Sequence, residues 1–139
     1  MESAMAVAQS WQRCRTAQFS AQWHASGAVM TVDGELDAAN ADQLATYVQR
    51  NVGRTSRVIL DLRGLEFIGT AGFSALHRIN VVCSAAQVHW AMAPSEAVSR
   101  LLRVCDPDGT LPVTGATDEP LLKAAHRGDD QRPLLQLVT

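Results

Sequence analysis

The sequence predicts one α/β domain built on a mixed, mostly parallel β-sheet with about four helices, in the order β-β-α-β-α-β-α-β-α. Three observations predict it. The 139 residues are the length of a single domain. Segments with the two-residue period of strands are followed by segments with the 3.6-residue period of helices. An aliphatic run at residues 57–62 has the composition of a strand buried on both faces.

The first two strands form a predicted antiparallel hairpin. Phe19, Ala21 and Trp23 alternate with polar residues, which is the period of a half-buried strand. Ser26-Gly27 is a turn signal, and residues 28–32 form the second strand. Residues 1–16 show no clear period, so we expect a flexible leader there, a folded domain over 17–127 and a tail over 128–139.

The first helix follows the sequence GELD at residues 34–37. Asn40, with Gln43 three residues on, has the pattern of a capping box. Apolar residues at helical spacing come next, and Gly53 ends the segment. These apolar residues are Leu44, Tyr47, Val48 and Val52.

The second half of the chain alternates strands and helices. A central strand at 57–62 is followed by a helix that starts near Thr70, a strand at 88–93 and a helix with Ser95 as its N-cap. Residues 106–109 break the chain, and Pro112 confines the short segment 111–113 to a sheet edge. The apolar faces of these two helices are Phe73, Leu76, Ile79 and Cys83, then Val98, Leu101, Leu102 and Cys105; the last helix holds Leu121, Leu122, Ala124 and Ala125.

Charge and cysteine content exclude several classes of protein. Twelve basic and fourteen acidic residues give a net charge of −2, so no basic field exists to bind a nucleic acid. The cysteines, Cys14, Cys83 and Cys105, form neither a disulfide framework nor a metal-binding pair. The uncharged stretch at 79–95 holds too many polar residues to enter a membrane. We therefore expect a cytoplasmic protein without a metal or cofactor.

No catalytic constellation is visible in the sequence. The P-loop and the dinucleotide-binding glycine motif are both missing, and Ser74 lacks the second glycine of a nucleophile elbow. The four histidines lie far apart, and Glu35 with Asp37 is more typical of a turn than of a catalytic pair. The sequence therefore predicts a binding protein rather than an enzyme.

One feature remains for function, the hydroxyl of Thr70 at the start of a helix. The free N–H groups of a helix N-terminus carry a partial positive charge of roughly half a unit. A hydroxyl at this position is well placed to accept a phosphate, because the helix end stabilises the added negative charge. Capping of the helix is the simpler interpretation of the same residue.

Residues 61–73, DLRGLEFIGTAGF, resemble the signature of STAS domains, the family of anti-sigma factor antagonists. That signature reads Asp-Leu, a few residues, Phe-Ile-Asp-Ser, a small residue, Gly and an apolar residue. Residues 34–37 resemble the second marker of the family, and the predicted order of elements is also that of the family. The resemblance spans roughly residues 19–127.

The resemblance implies a phosphorylation switch. In this family a kinase-type anti-sigma factor phosphorylates the serine that matches Thr70, and a phosphatase resets it. Unphosphorylated antagonist binds the anti-sigma factor, which then releases the sigma factor. The partner-binding residues implied for this chain are Asp37, Asp61, Gly69, Thr70, Ala71, Gly72 and Phe73.

Gly69 departs from the family pattern, which has an aspartate before the phosphorylated residue. Two alternatives to the switched antagonist therefore stay open. The chain is a STAS scaffold in a larger complex, such as a stress-sensing assembly or a lipid-transport machine, or it is a sensor of a small anion or nucleotide at the helix end.

Overall fold

The structure, a computed structural model, describes the backbone of residues 8–14 and 16–129, and the side chains of residues 12–14 and 16–124. Within them lie five strands and four α-helices. The strands are β1 (Ala8–Cys14), β2 (Ala17–His24), β3 (Gly27–Leu36), β4 (Arg57–Ile68) and β5 (His89–Ala93). The helices are α1 (Ala41–Asn51), α2 (Thr70–Ala85), α3 (Glu96–Cys105) and α4 (Glu119–Asp129).

The five strands form one mixed sheet in the order β1-β2-β3-β4-β5. The neighbours β1/β2 and β2/β3 are antiparallel, whereas β3/β4 and β4/β5 are parallel. The parallel pairs are connected by α1 and α2, as the alternation of strands and helices predicts. The predicted fold class, a mixed α/β sheet with four helices, is confirmed.

Strand β1 corrects the expectation of a flexible leader over 1–16. Its backbone pairs with β2 along its whole length, from Ala8 opposite Trp23 to Cys14 opposite Ala17. The segment AQSWQRC lacks a clean apolar period, because the ladder of an edge strand is backbone-to-backbone and needs none. The predicted tail lies outside the described residues except for 128 and 129, which end α4.

The predicted last strand at 111–113 is reduced to a single bridge. Met92 of β5 donates its N–H to the carbonyl of Pro112 (3.0 Å) and accepts from the N–H of Thr114 (2.9 Å). The segment thus lies at the edge of the sheet, as its proline indicates, but Pro112 has no N–H with which to extend the ladder.

The helices cover the two faces of the sheet unequally. Helices α1, α2 and α3 pack on one face, where the predicted contacts Leu44, Val48, Leu76 and Ile79 are buried in the main core. The other two predicted contacts, Leu101 and Leu102, are half-buried against this core. On the opposite face α4 forms a smaller apolar cluster of Val29, Ile59, Ala91, Ala93, Leu121 and Leu122.

The start of α4 is tied to β4 by polar contacts. Arg57 donates to the carbonyl of Thr117 (2.8 Å) and forms an ion pair with Asp118. Asp118 also accepts from the N–H of Gly115 (2.8 Å). These contacts hold α4 against the sheet.

Candidate functional site

The two sequence markers meet at one edge of the sheet. Strand β4 continues well past Leu62, its predicted end, and Ile68 lies opposite Leu36 of β3. The N–H of Gly69 donates to the carbonyl of Leu36 at 3.0 Å. Since parallel strands end at the same edge, the segments 34–37 and 67–73 lie side by side.

Helix α2 begins directly at this edge. Gly69 is its N-cap and Thr70, whose side chain is exposed, is its first residue. The first amides that bond back within the helix are those of Gly72 (2.9 Å) and Phe73 (3.4 Å), both to the carbonyl of Gly69. The amides of Thr70 and Ala71 precede these bonds and give the helix end its partial positive charge. Thr70 is therefore not the N-cap, which corrects the capping interpretation of its hydroxyl.

A side chain fits at Gly69. A Cβ built there would meet only the ring of Phe67, at 3.7 and 3.8 Å, and the backbone φ of −92° is one that any residue adopts. Space therefore does not explain why this chain lacks the aspartate of the family pattern.

Gly72 is a packing residue. It is buried, and a Cβ there would overlap the Ile68 side chain and come within 3.3 Å of Leu36. A glycine lets the first turn of α2 rest on the ends of β3 and β4. Of the predicted partner-binding residues, Gly72 thus lies beneath the surface.

Two phenylalanines flank Thr70. Phe67 is 50% exposed, and its ring lies beside Gly69. Phe73 is half-buried and packs edge-on against His77, with ring centroids 5.4 Å apart. Phe67 is not among the predicted contact residues, although an aromatic residue two positions before Gly69 is a visible signal in the sequence.

An irregularity in the β3/β4 pairing explains the exposure of Phe67. The register shifts between Gly34 and Glu35, which places Glu35 opposite Phe67. Both side chains are exposed. A bulge turns side chains out of the regular alternation, so Phe67 faces solvent one position before buried Ile68.

Three acidic residues lie near Phe67 in the ladder or along the chain: Glu35 opposite it in β3, Glu66 next to it in β4, and Asp37 just after β3. Glu35 and Glu66 are exposed, and Asp37 is half-exposed. Asp37 accepts the N–H of Ala39 at 2.9 Å, which fixes the turn after β3. We call the exposed and half-exposed residues at this edge the Thr70 surface: Glu35, Asp37, Glu66, Phe67, Gly69, Thr70, Ala71 and Phe73.

The predicted capping box at Asn40 is wrong. The Asn40 side chain is fully buried and makes no cap bond to the helix. Its Oδ1 accepts the N–H of Asp37 (2.9 Å), and its Nδ2 donates to the carbonyls of Glu35 (3.0 Å) and Cys14 (3.2 Å). The Asn40 side chain therefore bonds to the sheet rather than to its own helix. The carbonyls of Cys14 and Glu35 come within its reach only when the chain folds.

Asp61 does not lie on the Thr70 surface, although the resemblance pairs it with Asp37. It is buried opposite Thr31 and Ala93, and both its oxygens accept from Arg63 at 2.9 Å. It lies seven positions before Ile68, or roughly 20 Å along the strand. Asp61 is a residue of the sheet interior.

Across the described residues, no group of three or more His, Cys, Asp or Glu side chains is arranged to hold a metal ion. No helix in that part of the chain is long and apolar enough to cross a membrane.

The fold and the two markers define a STAS domain. The profile of the STAS domain family matches residues 18–118, and the chain belongs to this family. It is 34% identical over 123 residues to osmosensory protein A of Mycobacterium tuberculosis (strain ATCC 25618 / H37Rv). That match covers 86% of this chain and 78% of the relative.

Solved structures share the fold at low sequence identity. An anti-sigma factor antagonist from Mycobacterium paratuberculosis has a TM-score of 0.58 at 18% identity, covering 88% of this chain and 97% of its own. The anti-sigma factor antagonist SpoIIAA in its unphosphorylated form has a TM-score of 0.60 at 15% identity, covering 78% and 96%. At such identities the likeness shows the fold.

Proposed function

We propose that this protein is an anti-sigma factor antagonist that binds an anti-sigma factor through the Thr70 surface and acts by binding, without catalysis, in the cytoplasm. One observation carries the proposal. The segments that resemble the two STAS markers meet at a single edge of the sheet, where they leave Phe67 exposed beside Thr70. Membership of the STAS family and the fold shared with anti-sigma factor antagonists support it.

The chemistry of the Thr70 surface defines the partner it fits. Half-exposed Phe67 is an apolar anchor, and its burial contributes about 1–2 kcal/mol of binding free energy. The same edge of the sheet carries the acidic residues Glu35, Asp37 and Glu66. A complementary partner presents an apolar hollow with basic side chains at its rim.

Phosphorylation of Thr70 would switch this contact. A kinase-type anti-sigma factor transfers the γ-phosphoryl group of ATP to Oγ1 of Thr70 and releases ADP, and a phosphatase returns the hydroxyl by hydrolysis. The helix end stabilises the phosphate in the free protein. In a complex, the phosphate would enter the apolar hollow that receives Phe67 and not reach the basic rim, so nearly two negative charges would be desolvated without a counter-charge and binding is lost.

The decisive measurement is the affinity of wild type and variants for the anti-sigma factors of the source organism. Thr70→Glu and Phe67→Ala should each weaken binding about tenfold or more, whereas Thr70→Ala should bind like wild type. Val104→Glu, at an exposed position of α3, is the control for added charge and should have no effect. Equal affinity for Thr70→Glu, Phe67→Ala and wild type would rule out this surface.

Phosphorylation is tested separately with a kinase-type anti-sigma factor and ATP, followed by phosphopeptide mass spectrometry. Phosphate should appear on Thr70 and be absent from Thr70→Ala. Gly69→Asp should raise the rate if the missing carboxylate limits it, and the space around Gly69 admits the side chain. Unmodified Thr70 in both wild type and Gly69→Asp would eliminate the switch.

A second candidate function is a STAS scaffold that binds its partner without a switch, for example in an osmotic or other stress-sensing assembly. Gly69 favours it, because the residue before the predicted acceptor carries no carboxylate, and one relative is called an osmosensory protein. A scaffold binds through Phe67 but tolerates Thr70→Glu. The affinity series above therefore separates the two functions.

A further inference from the structure

We propose that Asn40 is a positioning residue that couples the turn between β1 and β2 to the Thr70 surface, a role that rests on the proposed function only for its effect on binding. Asn40 is fully buried and bonds three backbone groups, those of Cys14, Glu35 and Asp37. The first lies at the end of β1, and the other two lie at the end of β3. The Asn40 side chain thus joins edge strand β1 to the segment that carries Glu35 and Asp37 of the Thr70 surface.

The segment at residues 35–37 is held from two sides. On one side Thr16 accepts the N–H of Glu35 (3.1 Å), and its hydroxyl donates to the carbonyl of the same residue (3.2 Å). Asn40 adds its bonds to Glu35 and Asp37 on that side. On the other side the carbonyl of Leu36 accepts the N–H of Gly69, the N-cap of α2. A shift of the segment therefore moves the start of α2.

Gly34 makes this close arrangement possible. Its φ is +97°, and a Cβ there would overlap the carbonyl oxygen of Thr16. The backbone of Thr16 thus rests directly on β3, and its carbonyl accepts the N–H of Glu35. The first residue of the GELD sequence is therefore a glycine that allows this close contact with Thr16.

The Asn40 side chain is fully buried, so solvent does not compete for its hydrogen bonds in the native protein. In Asn40→Ala the carbonyls of Cys14 and Glu35 each lose a donor, and the N–H of Asp37 loses its acceptor, at part-buried hydrogen bonds made by a fully buried side chain. The segment relaxes by moving toward solvent. That movement reaches Leu36 and, through its carbonyl, Gly69.

The first test is amide hydrogen exchange, which needs no partner. Asn40→Ala should speed exchange at the amides of Asp37 and Gly69 about tenfold, although the Asn40 side chain makes no hydrogen bond to Gly69. Ser95→Ala is the control, because it removes the N-cap of α3 and lowers stability elsewhere. An unchanged exchange rate at Gly69 in Asn40→Ala, relative to Ser95→Ala, would overturn the coupling.

Thr16→Val keeps the test informative if Asn40→Ala does not fold. It removes one exposed hydroxyl and its bond to Glu35 at constant size, and it should speed exchange at Gly69 severalfold. In binding assays Asn40→Ala should weaken the anti-sigma factor complex about tenfold, and Ser95→Ala should not. If wild type binds no anti-sigma factor, the proposed function fails, while the exchange rates still decide the coupling.

Discussion

Gly69 and Gly72 stand three residues apart in one motif and have opposite surroundings. A Cβ at Gly69 would make only ordinary contact with the Phe67 ring, whereas a Cβ at Gly72 would overlap Ile68 and press on Leu36. In the sequence both are small residues at the start of a predicted helix. The two glycines differ because the first turn of α2 packs on the ends of β3 and β4 at Gly72 and not at Gly69. This packing is a tertiary property that the sequence does not show.

Gly72→Ala should lower the free energy of unfolding by about 1–3 kcal/mol, because its methyl group overlaps the Ile68 side chain and lifts the first turn of α2. Urea unfolding of the purified variant measures the change. Gly53→Ala is the control, since nothing lies within 4 Å of a Cβ there, and it should match wild type or exceed it. A Gly72→Ala protein as stable as wild type would contradict the packing role.

Side chains that act along one helix were predictable from sequence, but those that reach across the fold were not. Ser95 caps α3 as predicted, with its oxygen accepting the N–H of Val98 at 3.1 Å. Cys83 is buried on the predicted apolar face, and burial raises the pKa of its thiol to about 11. Asn40 has an equally good capping pattern, yet its bonds go to Cys14 and Glu35, which spacing along the chain cannot reveal.

At the scale of elements, helices and buried strands were predictable because their apolar periods are strong. Strand β1 was not, since an edge strand of polar composition carries no such period. The continuation of β4 to Ile68 was also missed, because the bulge opposite Glu35 interrupts the alternation of its last residues. The candidate site was found through its motif rather than through periodicity.

Helix α4 should depend on the Asp118 carboxylate. Burial raises the pKa of Asp118, but the N–H of Gly115 and the Arg57 guanidinium lower it more, so the pKa lies below its ordinary value. The carboxylate therefore stabilises the fold above the unfolded-state pKa of about 4, and this contribution is lost as the pH falls through the folded-state pKa.

Asp118→Asn should lower the free energy of unfolding by about 1 kcal/mol at pH 7, and the difference from wild type should shrink below pH ~4. Thermal unfolding from pH 7 to pH 2.5 measures both. Asp108→Asn, which changes an exposed carboxylate in the preceding loop, should follow wild type throughout. A deficit in Asp118→Asn that persists undiminished at pH 2.5 would refute the charged contact.

At the scale of the whole molecule, β4, an interior strand between β3 and β5, contributes to both cores. In β4, Val58, Leu60 and Leu62 enter the core under the first three helices, and Ile59 enters the cluster under α4. The unbroken aliphatic run predicted this burial on two faces. The order of the strands in the sheet depends also on β1, and their pairing depends on strand register. The local sequence encodes neither.

Ile59→Asp should prevent stable folding, because an unpaired carboxylate in a fully buried position costs several kcal/mol. Circular dichroism and gel filtration should show an unfolded or aggregated chain. Val81→Asp places the same charge on an exposed position of α2 and should leave the fold intact. A soluble Ile59→Asp protein that melts cooperatively would contradict the assignment of β4 as an interior strand buried on both faces.

The bridge at Met92 has a consequence for how the molecule behaves at high concentration. Fibre growth by β-proteins recruits strands onto free backbone groups at a sheet margin. At Met92 both groups are already bonded to residues 112 and 114 of the same chain, and Pro112 itself offers no N–H to an incoming strand. The chain thus protects its own sheet edge at this position and blocks templated polymerisation there.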